Sequence, residues 1–270
     1  MSNIGEKERV TQQRVVKLFD KTLGYDYLGN GSEGVGNIDE TLLRAYLTRQ
    51  GYDETVLARA LHVLQTTAGD LSKSLYDRNK AVYELLRYGV KVKPDIGANT
   101  VTVWLIDWKN PDKNDFAVAE EVRVEYAGGH GKRPDVVLYV NGIALGLLEL
   151  KRTTVSVAEG IRQNLDSQKK EFIEPFFSTI QFILAGNDTE GLRYGVIQTP
   201  EKYYLSWKED GPEANPLDRA LMQMCGKARF LELIHDFIVF DGGVKKLCRH
   251  NQYFGVRAAS SGIRKDRARA

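Results

Sequence analysis

The sequence predicts a mixed α/β (α+β) fold in which helices flank a mixed β-sheet. Apolar residues recur at helical spacing in the first third of the chain, alternate with a period of two from about residue 89, and return to helical spacing after about residue 210. With 270 residues, of which 42% are hydrophobic and 27% charged, the chain can bury a full core. We therefore expect a helical lobe at 1–88, a core at 89–210 and a helical segment at 211–270.

Four helices are predicted in the N-terminal lobe. The first two carry these apolar stripes: Val15, Val16, Leu18, Phe19 and Leu23, then Leu42, Leu43, Tyr46 and Leu47. Asp53 is placed to cap a third helix, and residues 74–86 form a fourth. Because each stripe covers only one helical face, the lobe must bury these residues against the core at 89–210.

Alternating apolar residues predict the strands of the core. Short runs lie at 90–92, 101–105 and 122–124, and stronger ones at 135–140 and 143–151 are joined through Asn141-Gly142, a hairpin signal. Ser156 and Glu159 then form a capping box for a helix carrying Val157, Ile161 and Leu165. Three more strands are expected at 180–185, 192–197 and 203–207, before helices around Leu217 and Phe230.

Charge and composition exclude several classes of protein. A net charge of +2 and a pI of about 8.3 are far from strongly basic, so any DNA contact must come from a local patch. The charged N-terminus does not resemble a secretory signal, and no uninterrupted apolar segment approaches about 18 residues. We expect a soluble cytoplasmic protein that does not enter a membrane. The two cysteines, Cys225 and Cys248, lack the spacing of a thiolate zinc site.

The residues that indicate chemistry are Asp135, Glu149 and Lys151. The strand period of two places Glu149 and Lys151 on one face, with Leu150 on the other. If Asp135 joins them, the two carboxylates and the backbone carbonyl of Leu150 could hold a hard divalent cation such as Mg²⁺. Such a site could polarise a phosphodiester and activate water, with Lys151 orienting the water or offsetting developing charge.

Strand register decides whether this site can form. A regular two-residue loop at Asn141-Gly142 would pair Val140 with Ile143 and turn Asp135 away from Glu149. A three-residue loop at 140–142 would pair Asp135 with Leu147 and make it a diagonal neighbour of Glu149 on the same face. We expect the three-residue loop or an equivalent bulge.

The competing interpretation is an ordinary solvated strand face with alternating charges. The sequence argues against it because Ile143, Leu145 and Leu147 are expected on the same face as Glu149. That face would change from apolar to charged along the strand, as where a buried strand runs into a cleft.

Residues 133–151, Arg-Pro-Asp-Val-Val-Leu-Tyr-Val-Asn-Gly-Ile-Ala-Leu-Gly-Leu-Leu-Glu-Leu-Lys, resemble the nuclease segment of the restriction (R) subunit of type I restriction-modification enzymes. Further likeness lies in Thr11-Gln12-Gln13-Arg14, in Asn79-Lys80-Ala81-Val82-Tyr83, in Ala185-Gly186-Asn187-Asp188 and in residues 250–254. The resemblance implies a restriction-endonuclease-like PD-(D/E)xK fold, with Asp135, Glu149 and Lys151 matching its motif. It also implies a role for Gln163 on the following helix, where Ser167 replaces the tyrosine that many relatives carry.

The same resemblance implies a Mg²⁺-dependent endonuclease, a type I site-specific deoxyribonuclease, that cuts DNA while methyltransferase and specificity subunits supply sequence recognition. ATP is expected only for a motor region absent from this chain, since Gly226-Lys227 lacks the leading glycine of a phosphate-binding loop. The segment at 211–270 would connect to that motor. Lys132 and Arg133 are candidates for DNA contact, although a plain flexible loop is equally compatible. A non-catalytic DNA-binding or subunit-docking module and a stand-alone repair nuclease stay open as alternatives.

Overall fold

The computed structural model of the chain describes residues 4–31, 36–125 and 130–267. Its N-terminal elements are α1 (Ile4–Lys17), a π-helical turn (Leu18–Thr22), β1 (Asp26–Asn30), α2 (Glu40–Arg49), α3 (Glu54–Ala68) and α4 (Leu75–Tyr88). The side chains of Asp39, Asp53 and Ser74 accept hydrogen bonds from the first turns of α2, α3 and α4. These caps satisfy amide groups that have no partner within the helix, so each helix begins where the cap stands.

The middle of the chain supplies most of the sheets. Its elements are β2 (Val90–Val92), β3 (Val101–Val103), β4 (Phe116–Glu120), β5 (Val136–Val140), β6 (Ile143–Leu150), α5 (Val157–Ser167), β7 (Phe182–Asn187) and β8 (Gly191–Gly195). Six strands form a mixed sheet in the order β1-β4-β5-β6-β7-β8, while β2 and β3 pair separately. The helix α5 connects the parallel strands β6 and β7, as such a crossover requires.

The C-terminal part contains α6 (Pro216–Cys225), α7 (Lys227–Phe237), β9 (Ile238–Asp241), β10 (Val244–Leu247) and α8 (His250–Arg267). The prediction of helices here is confirmed for α6 and α7 but missed the hairpin of β9 and β10. That hairpin turns through Gly242 and Gly243, both with positive φ. Within residues 4–31, 36–125 and 130–267, every helix is too short or too polar to span a lipid bilayer.

Two of the predicted strands are wrong. Residues 122–124 are not a strand: β4 lies just upstream, and Val124 makes only an isolated bridge with Lys132. The fully buried β4 lacks the alternation of apolar and polar residues that marks a half-exposed strand. Residues 203–207 form the end of a 3-10 turn and a single bridge from Leu205 to Tyr194.

The hairpin of β5 and β6 has a two-residue turn, so the predicted three-residue loop is wrong. Asn141 and Gly142 both have positive φ, of 51° and 80°, and Val140 pairs with Ile143. A β-bulge at Leu145 then shifts the register, so that Val136 pairs with Leu148. Such a bulge is the alternative to the three-residue loop that the sequence allowed. Continuing the ladder by one position places Asp135 opposite Glu149.

Because of the bulge, the apolar residues of β6 do not all lie on the face that the sequence predicts. Ile143 and Leu145 pack in the same apolar cluster as Leu148, whereas Leu147 lies in the second cluster, on the face of Glu149. The expectation that all three aliphatics share the face of Glu149 therefore holds for Leu147 alone. The first cluster contains residues of the N-terminal lobe and of α6 and α7, and the second lies under α5.

Candidate active site

Asp135, Glu149 and Lys151 come together at one edge of the six-stranded sheet. Glu149 is the penultimate residue of β6, Lys151 follows that strand, and Asp135 immediately precedes β5. The Nζ atom of Lys151 donates a hydrogen bond of 2.8 Å to Oε1 of Glu149. The backbone amide of Leu150 donates one of 2.7 Å to Oδ2 of Asp135. The predicted convergence of the two acids and the lysine is therefore present.

The environment of Glu149 disfavours the charged form of its carboxyl group. Its side chain is almost fully buried, with 2% of the residue exposed. Burial, and then repulsion from the Asp135 carboxylate, raise the pKa of Glu149 to about 8 against the opposing effect of Lys151. The lysine therefore does not fully compensate the two acids, and an additional cation between them would relieve the repulsion.

The helix α5 closes over this pair of carboxylates. Gly160 faces the site so closely that a Cβ there would lie 3.4 Å from Cγ of Glu149 and 3.5 Å from Cγ of Lys151. A cavity of about 20 Å³ lies beside Glu149, between Leu147, Gln163, Asn164, Ser167 and residues 132–134. That volume is about what one water molecule needs.

Gln163 is exposed and borders this cavity, so the structure brings it to the site as the resemblance implied. Ser167 is buried, and its hydroxyl donates to the backbone carbonyl of Gln163 at 2.9 Å. The short side chain of Ser167 is therefore bonded to the helix backbone one turn earlier. A tyrosine at position 167 would be long enough to extend past that backbone carbonyl.

Lys132 and Arg133 also border the cavity beside Glu149. The ammonium of Lys132 lies 4.0 Å from the centre of the Phe172 ring, a cation–π contact that holds it in place. Arg133 is exposed. The glycines at 128 and 129, which precede them in the same loop, lie outside the described residues.

Two clusters at the same edge were not predicted as part of the site. Gln12 of α1 donates a hydrogen bond of 2.9 Å to the buried carboxylate of Glu120, at the end of β4. Arg14 forms ion pairs with Asp188, after β7, and with Asp218 of α6. Because β4, β6 and β7 run in the same direction, their carboxyl ends meet at one edge. The signal was present, since Gln12, Arg14 and Asp188 belong to segments that carried the resemblance.

The residues present fit a magnesium ion better than a softer metal. No group of three or more His, Cys, Asp or Glu side chains placed to hold a metal exists among residues 4–31, 36–125 and 130–267. A thiolate or imidazole centre is therefore not available there. Mg²⁺ commonly uses one or two carboxylates and keeps several waters, and Asp135 and Glu149 provide such a pair.

A mixed sheet flanked by helices, with an acid pair and a lysine at one edge, defines a restriction-endonuclease-like α+β fold. Residues 5–202 match the model of the family described as type I restriction enzyme R protein N terminus. The chain belongs to this family.

Named relatives agree with this assignment. The chain is 26% identical to the type I restriction enzyme HindI endonuclease subunit of Haemophilus influenzae, a match that covers 73% of this chain and 20% of that protein. It is 27% identical to the EcoprrI endonuclease subunit of Escherichia coli, over 52% of this chain and 46% of that protein. A Methanocaldococcus jannaschii protein, provisionally named the MjaIXP endonuclease subunit, is 27% identical over 88% of this chain and 26% of its own length. The chain thus spans less than half the length of these relatives.

Proposed function

We propose that this chain is the endonuclease region of a type I restriction enzyme R subunit and hydrolyses DNA phosphodiesters with Mg²⁺. The observation that carries the proposal is the convergence of buried Glu149 with Asp135 and Lys151 at an edge of the sheet. Sequence recognition would come from the methyltransferase and specificity subunits, and ATP would serve a motor outside this chain. The relatives named as endonuclease subunits support this function.

Each residue has a defined part in the proposed reaction. Asp135, Glu149 and the backbone carbonyl of Leu150 would hold the ion, and the hydrogen bond from Leu150 N keeps Asp135 beside β6. When bound, Mg²⁺ supplies charge that polarises the phosphodiester and lowers the pKa of a water molecule. Lys151 would orient the attacking water or offset the developing negative charge, with Gln163 beside it. Lys132 and Arg133 would hold the DNA backbone at the rim of the cavity.

Metal binding is the most direct test, since the resemblance implies cleavage only within the assembled enzyme. Calorimetric titration with Mn²⁺ and Mg²⁺ is expected to show binding to the wild-type chain and no binding to Glu149→Ala. Lys151→Ala should still bind metal, because it removes no carboxylate. Glu84→Ala, at an exposed position in α4, is the matched control.

Nicking of supercoiled DNA by the assembled enzyme tests whether Glu149 and Lys151 take part in the chemistry. Mg²⁺-dependent nicking should be lost in both Glu149→Ala and Lys151→Ala and retained in Glu84→Ala. Unchanged metal binding in Glu149→Ala would remove Glu149 from the metal site. Unchanged nicking in both site variants would remove Glu149 and Lys151 from the mechanism.

One observation favours the alternative of a non-catalytic docking module. Exposed Tyr203, Val239, Val244 and Val256 line an apolar groove of about 980 Å³, whose other lining residues come mainly from β8, the segment after it, the hairpin of β9 and β10, and α8. A patch of this kind is typical of surfaces that bind another protein. The alternative requires that Asp135 and Glu149 have no affinity for metal, so the calorimetric titration also decides between the two functions.

A further inference from the structure

A second cleft of about 820 Å³ lies apart from the cavity beside Glu149. Its walls come from the end of α2 and the residues after it, the segment that follows β3, and α7, with Arg87 of α4 and Arg257 of α8. None of its lining residues borders the cavity beside Glu149. Its volume is within the range of small-molecule sites in proteins.

Aromatic rings form much of this cleft, and hydrogen bonds to neighbouring groups hold two of them in place. Tyr46, Tyr52, Trp104 and Trp108 line it. The hydroxyl of Tyr52 accepts a hydrogen bond of 3.0 Å from the backbone amide of Trp104, and the indole of Trp108 donates one of 2.9 Å to the carbonyl of Leu86. The rings of Tyr52 and Trp108 are therefore positioned before any ligand binds, which reduces the entropic cost of binding.

Trp104 is the exposed tryptophan among the three in the chain, with 45% of its surface accessible. Tryptophan offers a large apolar ring surface that is usually well buried in folded proteins. An exposed indole at the wall of an aromatic cleft is therefore suited to stack against a flat ring of a ligand.

Three acids and three cations line the cleft, so its side chains carry no excess of either charge, and a negatively charged ligand group would depend on one local cation, the ammonium of Lys109. The acids, Asp107, Glu232 and Asp236, are each already hydrogen-bonded or paired within the protein. Of the three cations, Lys109 is exposed, Arg87 donates to the hydroxyl of Tyr83 and the backbone carbonyl of His235, and Arg257 pairs with Glu232. The hydroxyl of Tyr46 is buried in the wall of the cleft and has no hydrogen-bond partner in the described part of the chain.

We propose that this cleft binds a nucleotide, with its base against Trp104 and its phosphate beside Lys109. The ligand would be a free nucleotide or an unpaired nucleotide of a DNA strand, because both present the same base and phosphate. This site is separate from the proposed nuclease centre and does not depend on it. Base stacking and one positive charge provide the recognition, without the glycine-rich loop that surrounds phosphates in many nucleotide sites.

Tryptophan fluorescence of the full chain tests the proposal. Titration with deoxyadenosine monophosphate and with a ten-residue single-stranded oligothymidine is expected to give saturable quenching for at least one of them, weaker at higher salt. Binding of the mononucleotide would identify a free nucleotide as sufficient, and binding of the oligonucleotide alone would identify an unpaired strand.

Substitutions of the cleft residues test whether the nucleotide binds in this cleft. By calorimetry, Trp104→Ala is expected to weaken binding about tenfold or more, and Lys109→Ala about threefold to tenfold. Tyr46→Phe should weaken binding without lowering the thermal unfolding midpoint, since it removes a buried hydroxyl that has no partner among the described residues. Tyr203→Ala and Lys80→Ala, both at exposed positions outside the cleft, are the matched controls. Absence of saturable binding by both probes, or wild-type affinity in both Trp104→Ala and Lys109→Ala, would overturn the proposal.

Discussion

At the scale of single residues, the fold buries Glu149 beside a second acid, which makes the ionised form of its carboxyl group unfavourable when no metal is bound. An ordinary glutamate has a pKa near 4.5, and burial beside Asp135 raises the pKa of Glu149 to about 8. The effect of burial exceeds that of the lysine 2.8 Å away, because the ion pair recovers only part of the lost hydration. A cation that binds both carboxylates would favour the ionised form, so metal binding and release of a proton should be linked.

This shift predicts how stability depends on pH in the metal-free protein. Between about pH 4.5 and 8 the folded chain keeps a proton on Glu149 that the unfolded chain releases. The free energy of unfolding should therefore fall as pH rises through this window, by at most about 1.4 kcal/mol per pH unit, and level off above it. Urea unfolding with a chelator at pH 6, 7 and 8 measures the slope.

Two variants isolate the contribution of Glu149. Glu149→Gln stays neutral at every pH, so its slope should be smaller than that of the wild-type chain by about 1 kcal/mol per pH unit. Glu84→Gln, on the exposed side of α4, should keep the wild-type slope. Parallel stability curves for the wild-type chain and Glu149→Gln would show that the carboxyl group is ionised when the protein folds.

At the scale of elements, the hairpin of β5 and β6 determines whether the site exists. A two-residue turn alone would direct Asp135 away from Glu149, and the bulge at Leu145 restores the shared face. Sequence patterning predicted the hairpin, its strands and the capped helix after them, because each has a local signal. The bulge depends on how the strand packs, so the pattern of apolar residues could not place it. Gly146, next to the bulge, was the one available signal, since glycine within a strand often marks such a site.

The candidate site was more predictable from the sequence than its surroundings. The spacing of Glu149 and Lys151 is local, and strand geometry fixes their common face. The contacts of Gln12 with Glu120 and of Arg14 with Asp188 join residues more than 100 positions apart, so no local pattern encodes them. The family resemblance of the segments that contain Gln12, Arg14 and Asp188 was the only sign of them. The buried strand β4 was missed for the related reason that complete burial removes alternation.

The turn of the hairpin gives a prediction at this scale. Gly142 has φ of 80°, and a Cβ there would lie 2.6 Å from the backbone carbonyl oxygen of Asp39, which caps α2. Gly142→Ala should therefore lower the free energy of unfolding by about 3 kcal/mol or more, from backbone strain together with this overlap. Urea unfolding measures the change.

Gly243→Ala is the matched control for this variant. Gly243 also has φ of 80° and lies in a hairpin turn, but nothing is within 4 Å of a Cβ there. Only the strained backbone should contribute, at about 1 kcal/mol. Equal losses in the two variants would mean that α2 does not constrain the turn of the β5–β6 hairpin.

At the scale of the whole molecule, the three sequence regions share one apolar cluster. Val15 of α1, Leu148 of β6 and Phe230 of α7 all belong to it, so the helical lobe and the C-terminal segment cover the same face of the sheet. The division at 1–88, 89–210 and 211–270 stays a prediction about domains. The opposite face is covered by α5, which leaves the candidate site between that helix and the sheet edge.

Arg14 of α1 links the helical lobe to the sheet and to the C-terminal helices through ion pairs. Its guanidinium pairs with Asp188, after β7, and with Asp218 of α6, and the two carboxylates are 24% and 19% exposed. Arg14→Ala would leave two acids close together without their shared cation, so the free energy of unfolding should fall by about 1 kcal/mol after allowance for solvent screening.

Arg44 offers a matched control for Arg14. Its side chain has similar exposure and also pairs with two acids, Glu40 and Glu54, but these acids are more exposed and lie near it in sequence. Arg44→Ala should therefore cost less, and added salt should reduce the difference between the variants. If urea unfolding gave equal losses for the two variants, the pairing of α1 with the sheet edge and α6 would be an ordinary surface contact.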